Sequence, residues 1–75
     1  MMKGGDIMLE INYNKFLLEL AKSEMSSVEL EVKSGVGRNT ISKIINGRTM
    51  VRPQIAGKLA KALNIPVEQI VNIKG

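Results

Sequence analysis

The chain contains no cysteine, no histidine and no tryptophan. These absences exclude disulfide staples, thiolate nucleophiles, imidazole bases and the common zinc ligand sets, so stability has to come from helix packing or self-association. Metal binding would have only scattered carboxylates to draw on, and neither a metal nor any other cofactor is expected. Tyr13 and Phe16 are the only aromatics, which weighs against recognising single strands by stacking bases on an aromatic platform. No apolar run approaches the ~18 residues of a membrane span, and no signal-peptide core follows Lys3. The expectation is a soluble, cytoplasmic protein with no membrane partner, and a cysteine-free composition fits a reducing cytosol without deciding it. At 75 residues the chain makes one small domain. A domain of this size buries only ~60% of the surface its unfolded form exposes, so its core must be economical.

Acidic residues are missing from one long segment. Between Val32 and Val67 stand Lys33, Arg38, Lys43, Arg48, Arg52, Lys58 and Lys61, and not one Asp or Glu. Residues 1–31 carry the opposite excess, with Lys3, Lys15 and Lys22 set against Asp6, Glu10, Glu19, Glu24, Glu29 and Glu31. The net charge of +4 therefore hides a strongly polarised molecule. Such polarity suits a polyanion held against one face, because phosphates release counterions when cations neutralise them. The alternative is a solvated basic face with no ligand.

Local signals divide the chain into short helices. Residues 1–6 are flexible by composition and are read as a tail, with residues 7–75 as a single domain. Ile7, Leu9 and Ile11 alternate with Met8, Glu10 and Asn12 as a half-buried strand does. Its one candidate partner is the segment from Ile70 to Lys74, which gives a short two-stranded antiparallel ribbon pairing the chain ends, within one chain or between two. Asn12 or Asn14 can cap a first helix carrying Phe16, Leu17, Leu20 and Ala21 on one face and ending near Glu24. Ser26 and Glu29 have capping-box spacing, which starts a second helix over about 27–34, with Gly35 placed to stop it in a left-handed conformation. Gly37 caps a third helix over about 38–45, whose Ile41, Ile44 and Ile45 face inward while Arg38, Asn39, Ser42 and Lys43 face out. Asn46-Gly47 ends it, and residues 48–51 read as a loop. Pro53 suits the first turn of a fourth helix with Ile55, Leu59, Ala62 and Leu63 on its apolar side, ended by Asn64. Residues 66–70 can form one more helical turn.

Two short helices joined by a glycine-containing turn, the second with a polar and basic outer face, meet the mechanical requirement for reading a DNA major groove. The residues Ser26, Glu29, Leu30, Gly35, Val36, Arg38, Thr40, Ile41, Ser42, Ile44, Asn46 and Gly47, in that spacing, closely resemble the Cro/phage-repressor helix-turn-helix family. Val51-Arg52-Pro53 and the run from Lys58 to Ile65 resemble that family's fourth helix. The resemblance covers residues ~12–71 and implies an all-α, compact, four- to five-helix lambda-repressor-like DNA-binding domain. It further implies a transcriptional regulator, a repressor, that reads double-stranded DNA as a homodimer. Base reading falls to the positions held by Arg38, Asn39, Thr40 and Lys43, and phosphate contact to Ser27, Asn46, Gly47, Arg48 and Arg52. The chemistry fits independently, since Arg or Lys donates to guanine O6 and N7, Asn pairs bidentately with adenine, and the Thr methyl meets a thymine methyl. Bland readings stand beside these: a solvated first turn for Arg38 and Asn39, a hydroxyl bonded to its own helix for Thr40, and a plain helix stop for Asn46-Gly47. Lys58 and Lys61 read as a solvated face.

The sequence departs from the family pattern at three places. Ser27 replaces a longer amide side chain, Gly37 replaces a Ser or Thr cap, and Glu31 stands where a small apolar residue is usual. A carboxylate there is expected to reach outward to Lys33, Arg38 or Lys43. Gly37 and Glu31 support a second reading, an antitoxin or protein-interaction module that keeps the fold, takes a protein partner and recognises DNA weakly or not at all. An enzyme is not expected, because no carboxylate pair converges with a base or nucleophile and no glycine loop is built to cradle phosphate.

Overall fold

The structure is a computed structural model that describes residues 7–48 and 50–72. The tail expected over residues 1–6, and Ile73 and Lys74 of the expected terminal strand, lie outside the described residues. The order of elements is β1 (Leu9–Ile11), α1 (Tyr13–Ser23), α2 (Ser27–Ser34), α3 (Arg38–Ile45), β2 (Met50–Val51), α4 (Pro53–Leu63), a 3-10 turn (Val67–Gln69) and β3 (Val71–Asn72).

Each helix begins and ends for a local chemical reason. The Asn12 side chain accepts a hydrogen bond from the backbone N–H of Lys15 at 3.1 Å and starts α1. The Ser26–Glu29 capping box forms in full: the Ser26 N–H donates to Glu29 Oε1 at 2.8 Å, and the Glu29 N–H donates to Ser26 Oγ at 3.2 Å. At the other end of α2, Gly35 takes φ 75°, and its N–H donates to the Glu31 carbonyl at 2.9 Å. Pro53 occupies the first turn of α4, where its missing N–H costs no hydrogen bond, and Asn64 ends the helix with φ 61°.

The core is wholly apolar among the described residues. Phe16 of α1, Leu30 of α2, Ile41 and Ile44 of α3 and Leu59 of α4 are fully buried together with Ile11, Val36 and Ile70. α4 supplies four buried side chains, Ala56, Leu59, Ala60 and Leu63, and packs most extensively on α2. It is the post against which α2 leans, and α3 packs in turn on α2.

Two expectations are corrected here. The expected antiparallel pairing of β1 with β3 forms, but residues 48–51 are not all loop: Met50–Val51 is a strand that makes the ribbon a three-stranded sheet in the order β2-β1-β3. Leu9 pairs with Val51 and Glu10 with Met50 on one side of β1, while Glu10 pairs with Asn72 and Ile11 with Val71 on the other. The physical reason is burial: Val51 retains only 6% of its exposure once it lies across from Leu9 on the core side of the sheet. A two-residue strand shows no period, so the Asn46-Gly47 turn signal dominates its surroundings in the sequence. The sheet is fastened further by Asn12, whose N–H donates to the Ile70 carbonyl at 2.7 Å and whose Nδ2 donates to Asn72 Oδ1 at 2.9 Å.

Tyr13 connects the start of α1 to the end of α3. Its hydroxyl donates to the Ile45 carbonyl at 2.8 Å, which satisfies one of the acceptors that the last turn of α3 leaves free. Tyr13→Phe is therefore expected to cost about 1 kcal/mol, seen as a Tm lower by roughly 4–8 °C in thermal unfolding. An unchanged Tm would show that this tie does not hold α3.

Candidate nucleic-acid interface

The outward side of α3 is the surface on which the site is built. Ile41 and Ile44 are buried and Ile45 is half-buried, which fixes the helix orientation and leaves Arg38, Asn39, Ser42 and Lys43 exposed. α3 begins without a side-chain cap, because Gly37 has none to offer. It ends in a tight stop: the Asn46 N–H donates to the Ser42 carbonyl at 2.9 Å, that of Gly47 to Ile44 at 3.0 Å and that of Arg48 to Lys43 at 2.8 Å. Gly47 makes this stop possible with φ 110°, a conformation that strains any residue with a Cβ.

Two concavities border this helix. The first, about 260 Å³, runs between α2 and α3 and brings Ser27, Val28 and Glu31 opposite Arg38 and Ser42, over a floor that includes Ile41. Ser27 is the first residue of α2, so the positive end of that helix opens at the rim of this groove. Arg38 spans it, with Nε 3.6 Å from Glu31 Oε1, an ion pair rather than a hydrogen bond. The second concavity, about 300 Å³, gathers Thr40, Lys43, Arg48 and Arg52 with the exposed methionines Met8 and Met50.

The expected site residues are thus distributed as follows. Arg38, Asn39 and Lys43 stand exposed on one face of α3, and Ser27, Arg48 and Arg52 flank it on either side. Thr40 is half-buried at the flank, beside the second groove. Asn46 presents only its side chain, and the amides of Asn46, Gly47 and Arg48 are all engaged in closing α3, so none of them is free for a phosphate. Ser42 is also exposed on this face, although it is not among the expected base-reading residues. It lies one turn beyond Arg38 in the same groove, at the i, i+4 spacing that puts both on one side of the helix. Lys58 and Lys61 are exposed and line a separate depression with Lys33, away from α3.

The helix-turn-helix family model matches residues 17–70, most of the chain. The chain belongs to this family, in its Cro/C1-type branch. No curated protein matches it closely enough to add to that assignment. The helix-turn-helix domain makes the protein a DNA-binding regulator, with DNA as its partner. None of its described helices is long and apolar enough to cross a membrane. The match starts within α1, so β1, Asn12 and Tyr13 lie outside it, as do Val71 and Asn72 of β3.

Gly37 gives a direct test of how the helix-turn-helix domain holds its exposed helix. Its backbone is extended, at φ −62° and ψ 152°, and a Cβ added there meets nothing within 4 Å. Gly37→Ser should therefore add the missing cap and restrict the unfolded chain, stabilising the fold by about 0.5–1 kcal/mol. Thermal unfolding would register this as a Tm raised by several degrees, and a lowered Tm would show that the cap site is strained.

Proposed function

We propose that the protein is a transcriptional repressor that binds double-stranded DNA sequence-specifically, as a homodimer on an inverted repeat, with α3 in the major groove. The observation that carries this reading is the acid-free outer face of α3, where Arg38, Asn39, Ser42 and Lys43 are exposed together. A helix with its side chains is ~10–12 Å across, and the major groove is ~12 Å wide. Arg38 and Lys43 donate to guanine O6 and N7, Asn39 pairs with adenine, and the Ser42 hydroxyl adapts to either base. The half-buried Thr40 brings its methyl to the edge of this face for a thymine methyl. Ser27, with the positive end of α2, takes the phosphates on one side of the groove, and Arg48 and Arg52 take those on the other. Asn46 adds its side-chain amide there, while Gly47 contributes the close approach that a missing side chain allows. A single helix-turn-helix unit binds weakly, and pairing two units on an inverted repeat raises both affinity and specificity. Repression follows from occupying an operator that overlaps the transcription start.

A second reading, an antitoxin or interaction module with a protein partner, draws on the exposed apolar residues Leu18, Val28 and Val32, of which Val32 is 77% exposed.

Selection from a pool of randomised DNA duplexes at near-physiological salt separates the two. The parent should converge on a two-fold symmetric consensus, and the Arg38→Ala, Asn39→Ala double variant should stay folded but lose about 1–3 kcal/mol of discrimination per contact. Arg52→Ala should instead weaken all sequences alike and lower the salt slope by about 1. Weak binding without a consensus, lost as salt rises, would refute the repressor and favour the protein-partner reading.

A further inference from the structure

We infer that Glu31 is a positioning residue for Arg38, holding the guanidinium by its Nε edge so that the terminal nitrogens are presented as a fork to a guanine. The inference rests on the major-groove reading above. Glu31 is the only carboxylate lining the groove between α2 and α3, and its side chain is 33% exposed against 76% for Arg38. The ion pair uses Nε, at 3.6 Å from Oε1, and the Arg38 side chain makes no other ion pair or hydrogen bond among the described residues. Nη1 and Nη2 therefore stay available, and these are the two donors that match O6 and N7 of guanine.

The contact restrains a side chain that nothing else on the helix holds. Arg38 is the first residue of α3, its preceding cap Gly37 lends no side chain, and an arginine held only by its backbone loses much rotamer freedom on binding. Glu31, in the middle of α2, restrains that side chain. It also restrains the alternative use of the same side chain. A free arginine beside a duplex can swing onto the nearest phosphate and bind any sequence, whereas one drawn towards a carboxylate in the groove is kept off the backbone. The carboxylate itself repels phosphate, so its expected effect is to lower non-specific binding while raising discrimination.

These opposite signs make the test. The parent, Glu31→Ala, Glu31→Gln and Arg38→Ala are each put through the randomised-duplex selection, with affinity for a random-sequence duplex measured across salt and folding checked by thermal unfolding. Glu31→Ala should bind the random duplex roughly threefold more tightly at low salt and lose about tenfold in discrimination at the base pair that Arg38→Ala makes indifferent. Glu31→Gln, which removes the charge but keeps an acceptor of similar reach, should match that tightening and lose less discrimination. A purely structural role would lower both affinities together, and that outcome overturns the inference. So does parental discrimination retained in Glu31→Ala, which would leave the major-groove reading standing. If the parent itself yields no consensus, the reading and the inference fall together.

Discussion

An isolated helix in water is marginal below ~12–15 residues, and α3 has only eight. Its existence depends on burying Ile41 and Ile44 against Phe16, Leu30 and Leu59, so tertiary packing and not local propensity makes the exposed face of α3 a fixed surface. The same burial decides which residues are presented. With the isoleucines turned to the core, Arg38, Asn39, Ser42 and Lys43 have to face outward, and Thr40 is left at the margin. Tyr13, reaching the Ile45 carbonyl, and the closed backbone stop at Gly47 hold the far end of the helix, while Gly37 leaves the near end without a side-chain cap. α3 is therefore tied by these bonds at its C-terminal end, while at its N-terminal end Arg38 meets Glu31 of α2.

The fold also sorts the basic stretch into unlike parts. Arg38, Lys43, Arg48 and Arg52 gather around α3, whereas Lys33, Lys58 and Lys61 surround a separate depression between α2 and α4. Lys33 and Lys61 lie in the last turns of their helices, where a cation complements the negative end of the helix dipole, so they have a structural reason to be where they are. The residues around α3 have no such explanation except Lys43, and it is there that the grooves, the exposed polar side chains and the opening of α2 coincide.

Much of this architecture is legible in the chain because its helix boundaries are written in short-range chemistry. Ser26 and Glu29 are three residues apart in the sequence and bonded in the structure, Gly35 takes the left-handed conformation that glycine favours, and Pro53 opens α4. What escapes the sequence is set by contacts distant along the chain. β2 has two residues and no period to display, and it becomes a strand only because β1 lies alongside it. The Tyr13–Ile45 bond joins residues 32 apart and carries no local signature. Glu31 had three cations within plausible reach, Lys33, Arg38 and Lys43, and only the crossing of α2 over α3 selects Arg38. On α3, polarity and helical spacing pick out the outward residues, but the half-burial of Thr40 and the use of the Gly47 amide in the helix stop depend on packing and backbone closure.

On the proposed reading, DNA meets the protein across α3 and not across its other basic surface. Backbone amide chemical shifts of the protein, followed by NMR as a random-sequence duplex is added, test this without knowing the operator. With DNA on α3, the perturbed amides should cluster at the start of α2, along Arg38–Lys43 and from Arg48 to Arg52, with Lys58 and Lys61 unmoved. Shifts concentrated around Lys33, Lys58 and Lys61, with α3 unmoved, would contradict it.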